Sequence, residues 1–248
     1  MAAIHNVLAG GAGFFTFTFT ISSDTSNYNL SSALLAAGWD GNAPVLGSVT
    51  INNGIVVSAS TTANAGFTTG ASFQPISDIT ITNNGYIVGM GGKGGNGGGS
   101  GTPYATSGLA GGTGLAFTGN TSTSAKIKLY NNNIIAGGGG GGGGAQSNAQ
   151  GYRGPGGGGG RTGRTNSAGG DTDYGSNQGT FNGPGAGIAP TGNGNSGGGG
   201  GWGSSGAEGS VWPGDYKASD GGPGGNSITG YSGFTVLASG TLYGSTSG

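Results

Sequence analysis

Ile79-Thr80-Ile81-Thr82-Asn83-Asn84-Gly85-Tyr86-Ile87-Val88 runs without a break into Gly89-Met90-Gly91-Gly92-Lys93-Gly94-Gly95-Asn96-Gly97-Gly98-Gly99. The first ten residues alternate apolar and threonine positions, bend at Asn-Asn-Gly and resume as a second short strand. Alternation with period two buries one face of a strand. Asn and Gly tolerate positive φ, so the bend suits either a tight hairpin or the corner of a β-solenoid coil. After Val88 the composition changes, and glycine falls on every third residue.

Working outward, the strand–corner–strand unit recurs. It appears at Val49–Val57, at Ile127–Ala136 with Asn131-Asn132-Asn133 as the corner, and at Phe234–Tyr243. The spacing between members is unequal, so whatever they stack into carries insertions. Nearer the N-terminus, Phe14–Ile21 alternates apolar residues with Thr16, Thr18 and Thr20 and reads as a half-buried strand. The same threonine row would suit an ice-matching ladder. Asn29–Gly38 is the single good helix candidate, with polar capping residues, an i,i+4 leucine pair and a terminal glycine. Trp39-Asp40-Gly41 follows as a turn.

The glycine-rich part has its own period. Triplets run through Gly91–Gly99 and Gly151–Thr165, and Gly194, Gly197, Gly200, Gly203, Gly206 and Gly209 continue them. Gly137–Gly144 is unbroken polyglycine. Period three belongs to extended polyproline II-type helices, where only glycine lets neighbouring backbones pack closely. Collagen needs long triplet runs rich in proline, whereas the chain has 8 prolines in all. A flexible linker does not require apolar strands on both sides. The expected fold is therefore all-β: a β-rich domain over residues 1–88, and over 89–248 a bundle of polyglycine II helices with inserted surface loops.

Glycine makes up 67 of the 248 residues, roughly four times average usage. Disordered chains usually carry high net charge, but here it is −1, with 6% charged and 32% apolar residues. The balance offers no electrostatic footprint for nucleic acid. No cysteine is present, so disulfides and thiolate metal sites are excluded. Residues 1–9 lack the basic segment of a secretion signal, and no stretch has the length of a membrane span. Assembly in a host cytoplasm followed by release on lysis is the expected life history.

Catalytic constellations are sparse. His5 is the one histidine, which argues against a Ser–His triad or a histidine metal site. Paired carboxylates for glycan cleavage would have to come from Asp171, Asp173, Glu208, Asp215 and Asp220, whose loops could approach one another. Asp171-Thr172-Asp173 could also bind calcium, for which two carboxylates are a weak signal. Gly192–Gly197 matches G-x-G-x-x-G, but no strand precedes it and no helix follows. We expect no enzyme activity, no metal and no cofactor. The segments between glycine runs hold Tyr104, Tyr152, Arg153, Arg161, Arg164, Tyr174, Phe181, Trp202, Trp212 and Tyr216. In a bundle of short helices such segments are end turns, and Tyr/Trp-rich loops with Ser, Asn and Gly suit recognition. They would equally serve to cap the glycine block.

The chain resembles glycine-rich receptor-binding proteins of tailed phages, including the adhesins that cap T-even-type long tail fibres. The likeness rests on Leu34–Asp40 leading into Val49–Val57, on Ile79–Gly98, and on Gly225–Gly230 through Gly240-Thr241. It implies a polyglycine II sandwich whose end loops, here the ten residues above, touch an outer-membrane protein or surface glycan. It also implies a virion location, other tail or fibre proteins as partners, and a possible homotrimer, with neither nucleic acid nor membrane insertion involved. Residues 1–90 do not resemble the fibre-docking domain of the T-even adhesins.

Overall fold

A computed structural model describes residues 3–8, 13–70, 73–100, 104–118, 126–150, 154–171, 175–189, 194–210, 219–230, 232 and 235–248. The repeats stack as coils of a three-faced parallel β-solenoid. An N-terminal strand, β1 (Ala3–Leu8), pairs antiparallel with β2 (Phe15–Ile21). Coil 1 consists of β2, β3 (Thr25–Ser26) and β4 (Tyr28–Asn29). Helix α1 (Leu30–Ala36) then leads to coil 2, made of β5 (Val45–Ile51), β6 (Val56–Ser58) and β7 (Phe67–Thr68).

Coil 3 contains β8 (Asp78–Asn83) and β9 (Tyr86–Val88). Its chain then leaves through the glycine-rich part, which includes β10 (Gly98–Ser100), and returns as β11 (Leu115–Ala116). Coil 4 begins with β12 (Lys126–Ala136), which spans two faces. A second and longer excursion, with β13 (Gln146–Gln150), ends at β14 (Ile228–Thr229). Coil 5 is β15 (Thr235–Tyr243) and β16 (Thr246–Ser247). Both glycine excursions leave after the second face and return on the third.

Among the described residues every strand pairing apart from β1–β2 is parallel, which selects the solenoid corner over the hairpin at Asn83-Asn84-Gly85. Register then stacks like on like. Phe19, Val49, Ile81, Leu129 and Val236 form one inward row, and Val57, Ile87, Ile135 and Leu242 another. Tyr28, Phe67, Leu115 and Ile228 line the third face. These rows meet in a single apolar core, where each fully buried side chain contributes about 1.5–3 kcal/mol. The corners are tied by side-chain amides. Asn83 Nδ2 donates to Asn131 Oδ1 at 2.8 Å and to the Ile134 carbonyl at 3.0 Å, and Asn131 Nδ2 donates to the Ser239 carbonyl at 3.3 Å.

The helix forms where the sequence places it. Asn29 caps it by accepting from Ser32 N at 3.0 Å, Leu30 and Leu34 are buried, and Gly38 follows at φ 100°. Asp40 Oδ1 accepts from the backbone of Asn42 and Ala43 at 2.9 and 2.8 Å, closing the expected turn. Those N–H groups hold the Asp40 carboxyl below its usual range. The threonine row of β2 is extended sideways by register: Thr18, Ser48 and Thr80 align, as do Thr20, Thr50 and Thr82. Both rows stop at β12, where Lys128 and Tyr130 take their places.

In the glycine-rich part, hydrogen bonds run between segments rather than within them. The N–H groups of Gly138, Gly141 and Gly144 donate to carbonyls of Gly112, Leu109 and Thr106. Those of Gly139, Gly142 and Ala145 donate to Arg161, Gly158 and Pro155, and those of Gly140 and Gly143 to Ser204 and Ala207. The carbonyls repeat the rule: Gly139, Gly142 and Ala145 accept from Gly92, Gly95 and Gly98, and Gly138 and Gly141 from Gly225 and Gly222. Gly140 and Gly143 accept from Gly200 and Gly197. The run thus rotates its donors and acceptors to a new neighbour at each residue and returns every third. Enclosed on all sides, it has no room for a side chain at any position; a Cβ on Gly141 would fall on the Lys93 carbonyl oxygen. Outer segments need glycine only where they face inward, so Lys93, Asn96 and Leu109 appear there.

Candidate functional site

The glycine block has two ends with different chemistry. Gly137 N donates to the Tyr243 carbonyl and Gly89 N to that of Ala136, both in the solenoid. Ala145 lies eight residues further on, at the other end of the run.

At the near end, turns of the block cover the solenoid's second face. Val56, Val88 and Ala136 are buried beneath Trp202, with Tyr86, Ile134 and Phe181 packed against them. Trp202 is 6% exposed, and its Nε1 donates to the Thr162 carbonyl at 3.1 Å. The rings of Phe181, Tyr243 and Tyr86 lie 5.3, 6.0 and 6.4 Å from it, Phe181 edge-on. Arg161 stacks 3.6 Å above the Trp202 ring and donates from Nε to the Phe181 carbonyl at 3.0 Å. Burial pulls its guanidinium below the ordinary value, while the Tyr243 and Tyr86 phenols oppose that pull. Arg164 sits 4.9 Å over the Phe181 ring and donates to Asp24 Oδ2 at 2.7 Å. Asp24 in turn accepts from Val56 N at 2.8 Å, which ties coil 1 to the block.

Arg161, Arg164, Phe181 and Trp202 are therefore brought together, but against the solenoid. Their partners Asp24, Tyr86 and Tyr243 are not among the residues that the loop composition points to. One signal was available for Tyr86: period two places it on the outer side of its strand, where an aromatic ring needs cover.

At the far end, the flanks of the remaining aromatic segments lie side by side. Gly98 N donates to the Ala145 carbonyl, Gly154 N to Gly98, and Gly97 N to Asp171. Asp171 N donates to Asn96 Oδ1 at 2.9 Å, Ser210 N to the Asn195 carbonyl at 2.6 Å, and Gly209 N to that of Ser219 at 2.9 Å. Strands β10 and β13 pair here in parallel. Tyr104, 78% exposed, leads into Thr106, whose N–H binds the Asn96 carbonyl. Tyr152, Arg153, Tyr174, Trp212 and Tyr216 lie outside the described residues, as do Asp173 and Asp215. Lys93 and Asp171 form an ion pair at 3.6 Å near this end, exposed enough to contribute little. Among the described residues no group of three His, Cys, Asp or Glu gathers, and no helix is long and apolar enough to cross a membrane.

The described residues thus form a coiled β-scaffold from which a glycine-built block departs and to which it returns. The chain belongs to the phage tail fibre adhesin Gp38 family, whose sequence model matches residues 16–247. The match includes most of the stretch 1–90 that by itself did not resemble a docking domain. A search of curated protein sequences finds no match. Among solved structures, the chain is similar to one in the gp37–gp38 adhesin tip complex of the bacteriophage S16 long tail fibre. The TM-score is 0.64 at 22% identity, over 92% of this chain and 81% of that one. The protein is a phage tail fibre adhesin of all-β fold.

Proposed function

We propose that the far end of the glycine block binds a receptor on the bacterial surface, an outer-membrane protein or a surface glycan, without catalysing a reaction. The observation that carries this reading is the convergence of segment flanks at that end: Gln150/Gly154, Asp171/Gly175 and Ser210/Ser219 bracket Tyr152, Arg153, Tyr174, Trp212 and Tyr216. Tyr104 adds an exposed ring. Aromatic rings on a rigid base supply contact area at low entropy cost. Arg161, Arg164, Phe181 and Trp202 serve recognition indirectly in this reading, by holding the base of the block.

The period-three hydrogen bonding supports reading the block as a polyglycine II bundle, with residues 89–248 presenting the loops. The β-rich residues 1–88, together with the later strands of the coil, would join the other tail fibre proteins. The S16 structure, described as a complex of gp37 with gp38, favours a fibre partner of that kind.

Fluorescently labelled protein, mixed with bacterial strains lacking single porins or surface glycans, tests the proposal. Saturable binding lost with one surface component is the expected result. Binding to no strain would overturn it. Tyr104→Ala should weaken cell binding while leaving the melting temperature unchanged, as substitution of an exposed side chain costs within about 0.5 kcal/mol.

A further inference from the structure

On the solenoid's third face, away from the far end of the block, lies an open cleft of about 630 Å³. Its floor is a row in strict register across four coils: Asn29, Thr68, Ala116 and Thr229. The loop carrying Thr62 and Asn64 forms a wall, and Thr113, where the first glycine excursion rejoins the coil, adds to it. A backbone ladder below and the block beside it make this a preformed cavity.

The side chains divide into those already engaged and those left over. Thr68 and Thr118 bond to each other at 3.0 Å, and Thr118 also binds Gly70. Asn29 Oδ1 is taken up by Ser31 and Ser32 at the start of the helix. The hydroxyls of Thr62, Thr113 and Thr229, the side-chain amide of Asn64 and the Nδ2 of Asn29 make no hydrogen bond to any described residue. Five residues with a group free to donate or accept thus line one cleft. None of the described residues lining it is titratable, and Ala63, Ala65 and Ala116 supply methyl surface.

This lining discriminates between ligand classes. A charged ligand would be desolvated without a counter-charge. An apolar one would leave the hydroxyls and amides unpaired, at about 1–3 kcal/mol each. A ligand that both donates and accepts along its length, carries no charge and has patches of C–H surface satisfies all of it. The volume lies within the range of small-ligand sites, about 300–1,000 Å³. We propose that the cleft is a binding site for a neutral saccharide of two to three residues, separate from the far end of the block and independent of the receptor reading.

The test is an NMR titration of uniformly ¹⁵N-labelled full-length protein with gluco-, manno- and galacto-configured neutral trisaccharides, and with a sialylated one as the charged control. At least one neutral sugar should shift the amides of residues 62–65, 113, 116 and 229 saturably, unchanged at high salt, and the sialylated sugar should not. Asn64 is exposed, so variants there keep the fold. Asn64→Ala should weaken binding about tenfold, the loss of roughly one good hydrogen bond, and Asn64→Trp should fill the cleft and abolish it. Shifts that survive in Asn64→Trp, that appear only at the far end of the block, or that no neutral sugar produces up to its solubility limit would overturn the proposal.

Discussion

The guanidinium of Arg161 lies 3.6 Å above the centre of the Trp202 ring, in a cluster that joins the glycine block to the β-coil. Neither residue contacts the other through sequence proximity. They meet because a run leaving the block and a turn entering it both descend on the same face of the solenoid, whose Val56, Val88 and Ala136 need cover.

Trp202→Ala should therefore destabilise the protein by about 3–5 kcal/mol, the usual cost of emptying a buried aromatic site. Arg161→Ala should cost about 1–2 kcal/mol, from lost stacking and the lost bond to the Phe181 carbonyl. Chemical denaturation of each variant checks the ranking. Equal losses would mean that the cation, rather than the ring, organises the junction.

Two glycine-to-alanine changes should differ sharply. At Gly141 the added methyl meets the backbone of Lys93 and must push a neighbouring strand of the block aside, while at Gly183 it meets nothing within 4 Å. We expect Gly141→Ala to prevent or severely weaken folding of the block, and Gly183→Ala to be neutral or to stabilise by about 0.4–1 kcal/mol. Amide hydrogen exchange across residues 137–145 reads the first, and thermal melting the second.

Asn131→Ala removes the acceptor for Asn83 Nδ2 and the donor to the Ser239 carbonyl in a buried corner. Unsatisfied buried groups cost about 1–3 kcal/mol, so a loss in that range is expected in urea denaturation. Asn132→Ala, at an exposed residue whose amide bonds Asn84 at 2.8 Å, should cost far less.

The Tyr28 hydroxyl is buried without a hydrogen-bond partner among the described residues, and burial raises its pKa well above the ordinary value of 10.0. The folded state thus holds the phenolic proton more tightly than the unfolded chain. Stability from this group is intact below pH 10 and declines as pH rises beyond it. Tyr28→Phe should be neutral or slightly stabilising at neutral pH and should shift alkaline unfolding to higher pH. Melting curves between neutral and strongly alkaline pH distinguish the variant from the parent.

The sequence by itself determined the local elements and their alternation. Phe15–Ile21, Leu30–Ala36 and the strand–corner–strand units fall where period two, an asparagine cap and Asn-Gly bends put them. Those signals act within a few residues, so they are legible without a fold. The period-three glycine likewise disclosed that backbones pack together, while that Gly137–Gly144 is the run enclosed on all sides came from the structure. Unequal repeat spacing announced insertions, but tertiary structure alone decided that the units pair in parallel across about fifty or a hundred positions and that each excursion leaves after the second face and returns on the third. It also decided which aromatic residues face which end. Trp202 and Tyr104 carry similar local sequence, rich in Gly and Ser, yet one lies over an apolar sheet and the other in solvent. Composition records that a turn holds an aromatic ring, but only the direction in which its glycine run travels fixes what that ring meets.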